Sequence, residues 1–172
     1  MDTIERLKRE FTYNAWANQE TLGSLLAART KPERAGAVMA HIIAAEWLWL
    51  RRLGHPSPAM EVWPTFSLAE CEKHLRDLGQ AWQSYLAGLT PESLDREIRY
   101  VNSKGEHWTN TEADILTHVV LHSSYHRGQV ASFLGRAGEK AAYSDYIECV
   151  RRGHLSATSG LGSECEKARA VK

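Results

Sequence analysis

Cysteine is scarce in this chain: three of 172 residues, Cys71, Cys149 and Cys165, far apart and odd in number. That excludes a disulfide framework and a thiolate metal site, and it fits a reducing compartment. An excess of either charge is missing too, since 21 Lys and Arg face 21 Asp and Glu at a pI near 7.1. The composition therefore lacks the basic field that nucleic-acid or anionic-lipid binding draws on. Long apolar runs are absent: the stretch Ile42 to Leu50 is broken by Glu46 and falls well short of the roughly 20 residues of a membrane span. The opening Met1-Asp2-Thr3-Ile4-Glu5-Arg6 has charge where a secretory signal has its apolar segment. The expectation is a soluble, cytoplasmic protein, with neither nucleic acid nor membrane as partner.

What is present is apolar material in helical order. Hydrophobic residues make up 43% of the chain, enough for one packed core and too much for disorder. Ile4, Leu7, Phe11, Ala15, Leu22, Leu25 and Leu26 recur with helical spacing and predict an amphipathic helix running to about Ala28. A second helix is predicted from Thr30-Lys31-Pro32-Glu33, which combines capping-box spacing with an early proline, to near Gly54, with a loop from there to Phe66. A third opens on the capping box Ser67-Leu68-Ala69-Glu70 and stops at Thr90-Pro91. Between Asp95 and Asn110 the helical period vanishes. There Ile98-Arg99-Tyr100-Val101 and His107-Trp108-Thr109 flank the turn formers Asn102-Ser103-Lys104-Gly105, the pattern of a β-hairpin. A fourth helix runs from Thr111-Glu112-Ala113-Asp114 to Gly135 or Gly138, and a last short turn covers Ser144 to Arg151.

The predicted fold is all-α: a four-helix bundle over residues 1–152 with a small β-hairpin between helices three and four. A flexible tail is expected over 153–172, where Ser, Gly, Lys and Glu dominate. The two long connections call for at least one crossover. The six tryptophans are read either as helix-packing aromatics or as the wall of a binding cavity.

The eight histidines are the compositional feature able to carry chemistry. His118, His122 and His126 repeat every turn in the fourth helix. At about 100° per residue, with Ile115 and Phe133 as reference, His122 and His126 fall about 20° to either side and His118 about 60° away. Measured from the centre of the apolar face, His126 lies closest, His122 next and His118 furthest. Imidazoles buried against valine and phenylalanine need partners, and a metal ion is one such partner. His-x-x-x-His places two ring nitrogens where a single ion can bridge them. The same spacing also arises from hydrogen-bonded core or exposed histidines. In the second helix His41 shares its face with Ala37, Ala44, Ala45 and Leu48, so it too points inward, with space on either side. Three inward histidines from two helices form a facial three-nitrogen site with open positions, which is a catalytic rather than a structural pattern. His55, His74, His107 and His154 receive no role.

Two metal chemistries drop out. The residues between His122 and His126 are Ser123-Ser124-Tyr125, so the glutamate of a zincin helix is missing. No helix carries the Glu-x-x-His that di-iron bundles use twice. Phosphate-cradling glycine loops and nucleophile elbows are also absent.

The segment His41-Ile42-Ile43-Ala44-Ala45-Glu46-Trp47-Leu48-Trp49-Leu50, then Leu116-Thr117-His118-Val119-Val120-Leu121-His122 running into His126-Arg127-Gly128-Gln129, resembles the DinB family of the DinB/YfiT-like superfamily. Tyr13-Asn14-Ala15-Trp16-Ala17-Asn18 and Ser144-Asp145-Tyr146-Ile147 extend the resemblance over about residues 4 to 152. The resemblance implies a four-helix bundle holding a divalent ion, often nickel or zinc, on one histidine of helix two and the His-x-x-x-His pair of helix four. By position these are His41, His122 and His126, with His118 outside the set. It also implies a homodimer, and relatives that are metal-dependent transferases using a low-molecular-weight thiol, thiol-dependent isomerases, metal-dependent hydrolases or stress-inducible proteins of unknown role.

The leading expectation is thus a metal-dependent enzyme with thiol-dependent S-transferase-like activity on a small molecule. The alternatives are a metal-dependent hydrolase and a non-catalytic metal-binding stress-response protein. Imidazole ligands suit nickel and zinc, with iron or manganese also open. Three further residues, Glu46, Arg127 and Gln129, are candidates for a place beside the ligands. Gln129 either bonds a ligand imidazole or substrate or is a helix-surface amide. Arg127 either neutralises a substrate carboxylate or pairs with an acidic neighbour such as Glu46.

Overall fold

A computed structural model describes residues 1–155. Its first helix, α1 (Thr3–Ala27), starts where the Asp2 side chain accepts from the Glu5 amide at 2.8 Å, satisfying one of the free N–H groups of the first turn. Helix α2 (Glu33–Arg52) has Pro32, not Thr30, as its N-cap, and no side chain caps it. The reason is local: a residue preceding proline avoids the helical region, so Lys31 cannot be the first helical residue. The Thr30 amide instead donates to Glu139 at 2.7 Å. Helix α3 (Leu68–Ala87) has the predicted capping box, with the Glu70 amide donating to Ser67 Oγ and the Ser67 amide donating to the Glu70 carboxylate. Thr90-Pro91 ends this segment and also restarts the chain as a single turn, α4 (Pro91–Leu94), which the helical period alone did not reveal.

Strands β1 (Glu97–Val101) and β2 (His107–Thr111) pair antiparallel, with Ile98 opposite Asn110 and Tyr100 opposite Trp108. Their turn is tied by Asn102, whose side-chain oxygen accepts from the amides of Lys104 and Glu106, and Gly105 supplies the positive φ of 81°. Thr111 then caps α5 (Glu112–Arg136) by accepting from the Asp114 amide. Gly138, at φ 74°, ends that region in the left-handed conformation. A short α6 (Tyr146–Arg151) follows.

Helices α1 and α2 are consecutive yet occupy opposite corners of the bundle, each packing mainly on α3 and α5. The hairpin carries the chain between α3 and α5, the other diagonal, so the expected crossover lies there and also at the short α1–α2 link. The core between the four is filled by Leu7, Phe11, Leu25, Met39, Ile42, Ile43, Leu78, Trp82, Leu116 and Leu134, all buried. Burial of such side chains contributes about 1.5–3 kcal/mol each and fixes which faces of α2 and α5 meet. Trp16, Trp47 and Trp82 pack in the core as helix-packing aromatics, whereas Trp63 and Trp108 are more than half exposed. Leu155 is buried and its carbonyl accepts from Arg9, and His154 lies on the Trp16 ring, so the packed body continues past residue 152. Most of the predicted tail, residues 156–172 including Cys165, lies outside the described residues. Among the described residues no helix is long and apolar enough to cross a membrane.

Candidate metal centre

Helices α2 and α5 run past each other so that rising numbers on one meet falling numbers on the other: His41 lies near His126 and Trp49 near His118. This registers His41 against His122 and His126, with ring centroids 5.2 and 4.6 Å from His41 and 4.4 Å from each other. One ring nitrogen from each of the three falls within 4.8 Å of the others, a spacing a single ion can bridge. His41 is 6% exposed, one turn before the buried Ala44 and Ala45, while Ala37 on the same stripe is exposed. His126 is more enclosed than His122, the order the helical angles predicted.

Two of the imidazoles are held from behind. His41 Nδ1 lies 2.7 Å from the Val62 carbonyl, and His126 Nδ1 lies 2.8 Å from Gln129 Oε1. Both partners accept, so both Nδ1 atoms carry the proton and both Nε2 atoms keep a lone pair able to bind an ion. Gln129 is therefore the partner of a candidate ligand and not a surface amide. The Val62 contact comes from the α2–α3 loop, which also lays Trp63 flat on His41, centroids 3.8 Å apart and planes 8° apart. No helical period places a loop residue, so sequence reasoning missed both.

Burial is the first reason the site favours neutral imidazoles. It pushes His122 down to about 4, helped by the neighbouring His126, His41 and His118. His41 is also lowered, by burial first, against a raising contact with the Val62 carbonyl. Neutral imidazole is the metal-binding form. His118 is exposed at the edge, its ring 5.3 Å from His122 and 5.1 Å from Trp49.

Glu46 and Arg127 lie beside the histidines but do not join them, and they do not pair directly as expected. Asn14 and Asn18, one turn apart on α1, stand between the two. Each donates Nδ2–H to Glu46 Oε1, at 2.8 and 2.7 Å, and each accepts from Arg127 Nη1, at 2.7 and 2.8 Å. Ser123 Oγ and Trp82 Nε1 also donate to Glu46, both at 2.9 Å, and Arg127 Nη2 reaches the Tyr13 hydroxyl. With Glu46 and Arg127 each 3% exposed, the amides relay charge complementarity across the core. Arg127 is consequently unavailable to a substrate carboxylate. The signal was legible, since two asparagines at i and i+4 on an otherwise apolar face need buried partners.

A cavity of about 570 Å³ opens between α1 and α3 over Glu46, Asn14 and Asn18, and another of about 370 Å³ is lined in part by Trp63 and Phe66. None of the three histidines lines either one. The chemistry of the donor set, not cavity size, marks the centre. Cys71 and Cys149 are buried thiols pushed up to about 11, chiefly by burial, and neither approaches the histidines as a ligand.

The sequence carries this arrangement in a recognisable order, and the DinB family model matches residues 5–152. The chain belongs to the DinB family. It is similar to Protein DinB of Bacillus subtilis (strain 168), 23% identical over 157 residues that span 79% of this chain and 88% of that one. No solved structure matches the chain. The DinB match runs from the first turn of α1 to the end of α6 and includes both histidine-bearing helices and the asparagine pair.

Proposed function

We propose that this DinB-family protein binds one divalent metal ion through His41, His122 and His126 and uses it in thiol-dependent, S-transferase-like chemistry on a small molecule. The observation that carries this reading is the convergence of three imidazole nitrogens within 4.8 Å, on rings of which two are held through Nδ1 by an acceptor. The donor set fits nickel or zinc, with iron or manganese weaker candidates for an all-nitrogen site. When bound, such an ion supplies Lewis acidity that lowers the pKa of a thiol or water and favours its anion near neutral pH.

The rest falls to the chain. Val62 and Gln129 fix two ring orientations, burial keeps His41 and His122 neutral, and Trp63 screens one side of His41 from water. A thiol reading is favoured over a hydrolase by the state of Glu46, the nearby buried carboxylate: four donors already engage it, so it is poorly placed to serve as a general base for water. Free, buried Cys71 and Cys149 accord with a reducing, cytoplasmic setting. The exposed apolar group Tyr143, Tyr146, Ile147 and Val150 supports a homodimer.

Element analysis of untagged protein is expected to find about one ion per chain, lost in His41→Ala, with a cobalt-substituted sample changing its spectrum when a low-molecular-weight thiol is added. Unchanged metal stoichiometry in His41→Ala would sink the assignment.

A further inference from the structure

With Arg127 committed to the core, a second arginine stands near the edge of the histidine row. Arg52, in the last turn of α2, sits between two rings, with its guanidinium carbon 4.5 Å from the Trp49 ring centroid and 4.4 Å from that of Tyr100. It donates from Nη2 to the Val101 carbonyl at 2.9 Å, which fastens α2 to the hairpin. Among the described ion pairs none involves Arg52, and its other N–H groups meet no acceptor among the described hydrogen bonds. The Trp49 ring it covers is the one that packs on His118, and His118 in turn lies one turn from His122. Trp49 is thus the shared neighbour of Arg52 and His118. A guanidinium stacked on two aromatic rings and lacking a carboxylate partner is preorganised for a planar anion.

We propose that Arg52, flanked by His118, is the anion-docking end of the site, binding a carboxylate or similar anionic group of a molecule whose reactive end sits at His41, His122 and His126. This rests on the function proposed above and assigns the substrate class: an elongated anion. Length follows from the helix, because Trp49 lies about 12 Å beyond His41 along the α2 axis at 1.5 Å per residue. A two-carbon acid cannot reach both ends, whereas a chain of about six atoms or more can.

The test uses the cobalt-loaded full chain and a matched pair of thiols, 6-mercaptohexanoate and 6-mercaptohexanol, with binding read from the cobalt absorption spectrum. The acid is expected to bind wild-type protein about tenfold more tightly than the alcohol. Arg52→Gln should erase that preference and leave the alcohol's Kd unchanged. Arg52→Lys, which keeps the charge but loses the planar stack, should restore part of it, an outcome that a purely structural role for Arg52 does not predict. Mercaptoacetate should show no dependence on residue 52. Equal affinities for acid and alcohol in wild type, or a preference that survives Arg52→Gln, overturns the proposal. A second arm needs no metal: octanoate, but not octan-1-ol, should shift the Trp49 indole N–H and Arg52 Nε–H resonances of the metal-free protein, and Arg52→Gln should abolish the indole shift. Absence of that shift refutes the anion site and leaves the metal reading standing. An intact shift in a protein that takes up no cobalt refutes the metal reading alone.

Discussion

Two polar clusters are wedged between α2 and α5, and they are built on opposite principles. Around Glu46 each charged group is answered: four donors meet the carboxylate, and Arg127 is answered by Asn14, Asn18 and Tyr13. Around His41 the hydrogen bonds point outward, to Val62 and Gln129, and the nitrogens that face one another are left for something else. Saturation identifies scaffold, because buried charge is tolerated only when fully engaged. Converging lone pairs without donors identify a site, because folding alone gives no reason to gather them.

The comparison breaks first at Glu46. Glu46→Ala would leave four donors and the Arg127 charge without their acceptor, so unfolding in urea should show a loss of about 3–5 kcal/mol. A loss below about 1 kcal/mol would mean that the network is not scaffold. The histidine side responds to pH in the metal-free protein. An unfolded imidazole takes up its proton near 6.5, whereas folded His122 resists until about 4. Between those values the unfolded chain binds more protons, so stability present above pH 6.5 is lost as pH falls toward 4. The expected loss is about 2–3 kcal/mol after discounting for the partial exposure of His122. Urea unfolding at a series of pH values checks it, and His122→Gln should flatten the slope. The smallest effect is at Gln129. Gln129→Leu frees His126 Nδ1 without touching a ligand nitrogen, and competitive chelation should register a metal affinity weaker by about 10- to 100-fold. An unaltered affinity would show that the hydrogen bond behind His126 is incidental.

Legibility in the sequence followed the range of the interaction. Ser67 and Thr111 start their helices as their spacing predicts, and Asn102 to Gly105 make the hairpin turn, because caps and turns are decided within a few residues. Thr30 failed as a cap for an equally local reason, the proline two residues on, which was available to a closer reading. The inward direction of His41, His122 and His126 and the marginal place of His118 came from helical angle alone. The same angles sent Arg127 inward but could not say that two amides of α1 would stand between it and Glu46. Nor could they bring Trp63 onto His41 from a loop, or seat Arg52 between a helix tryptophan and a strand tyrosine.

The amino-acid order by itself determined the helices, their buried stripes and which imidazoles leave the surface, since periodicity and capping are properties of one segment. Only the packing of α2 against α5, with α1 and the loops laid over them, decided which nitrogens converge and which charges are quenched. Those outcomes depend on the register between segments far apart in the chain, and that register is set by how the whole core fills its space.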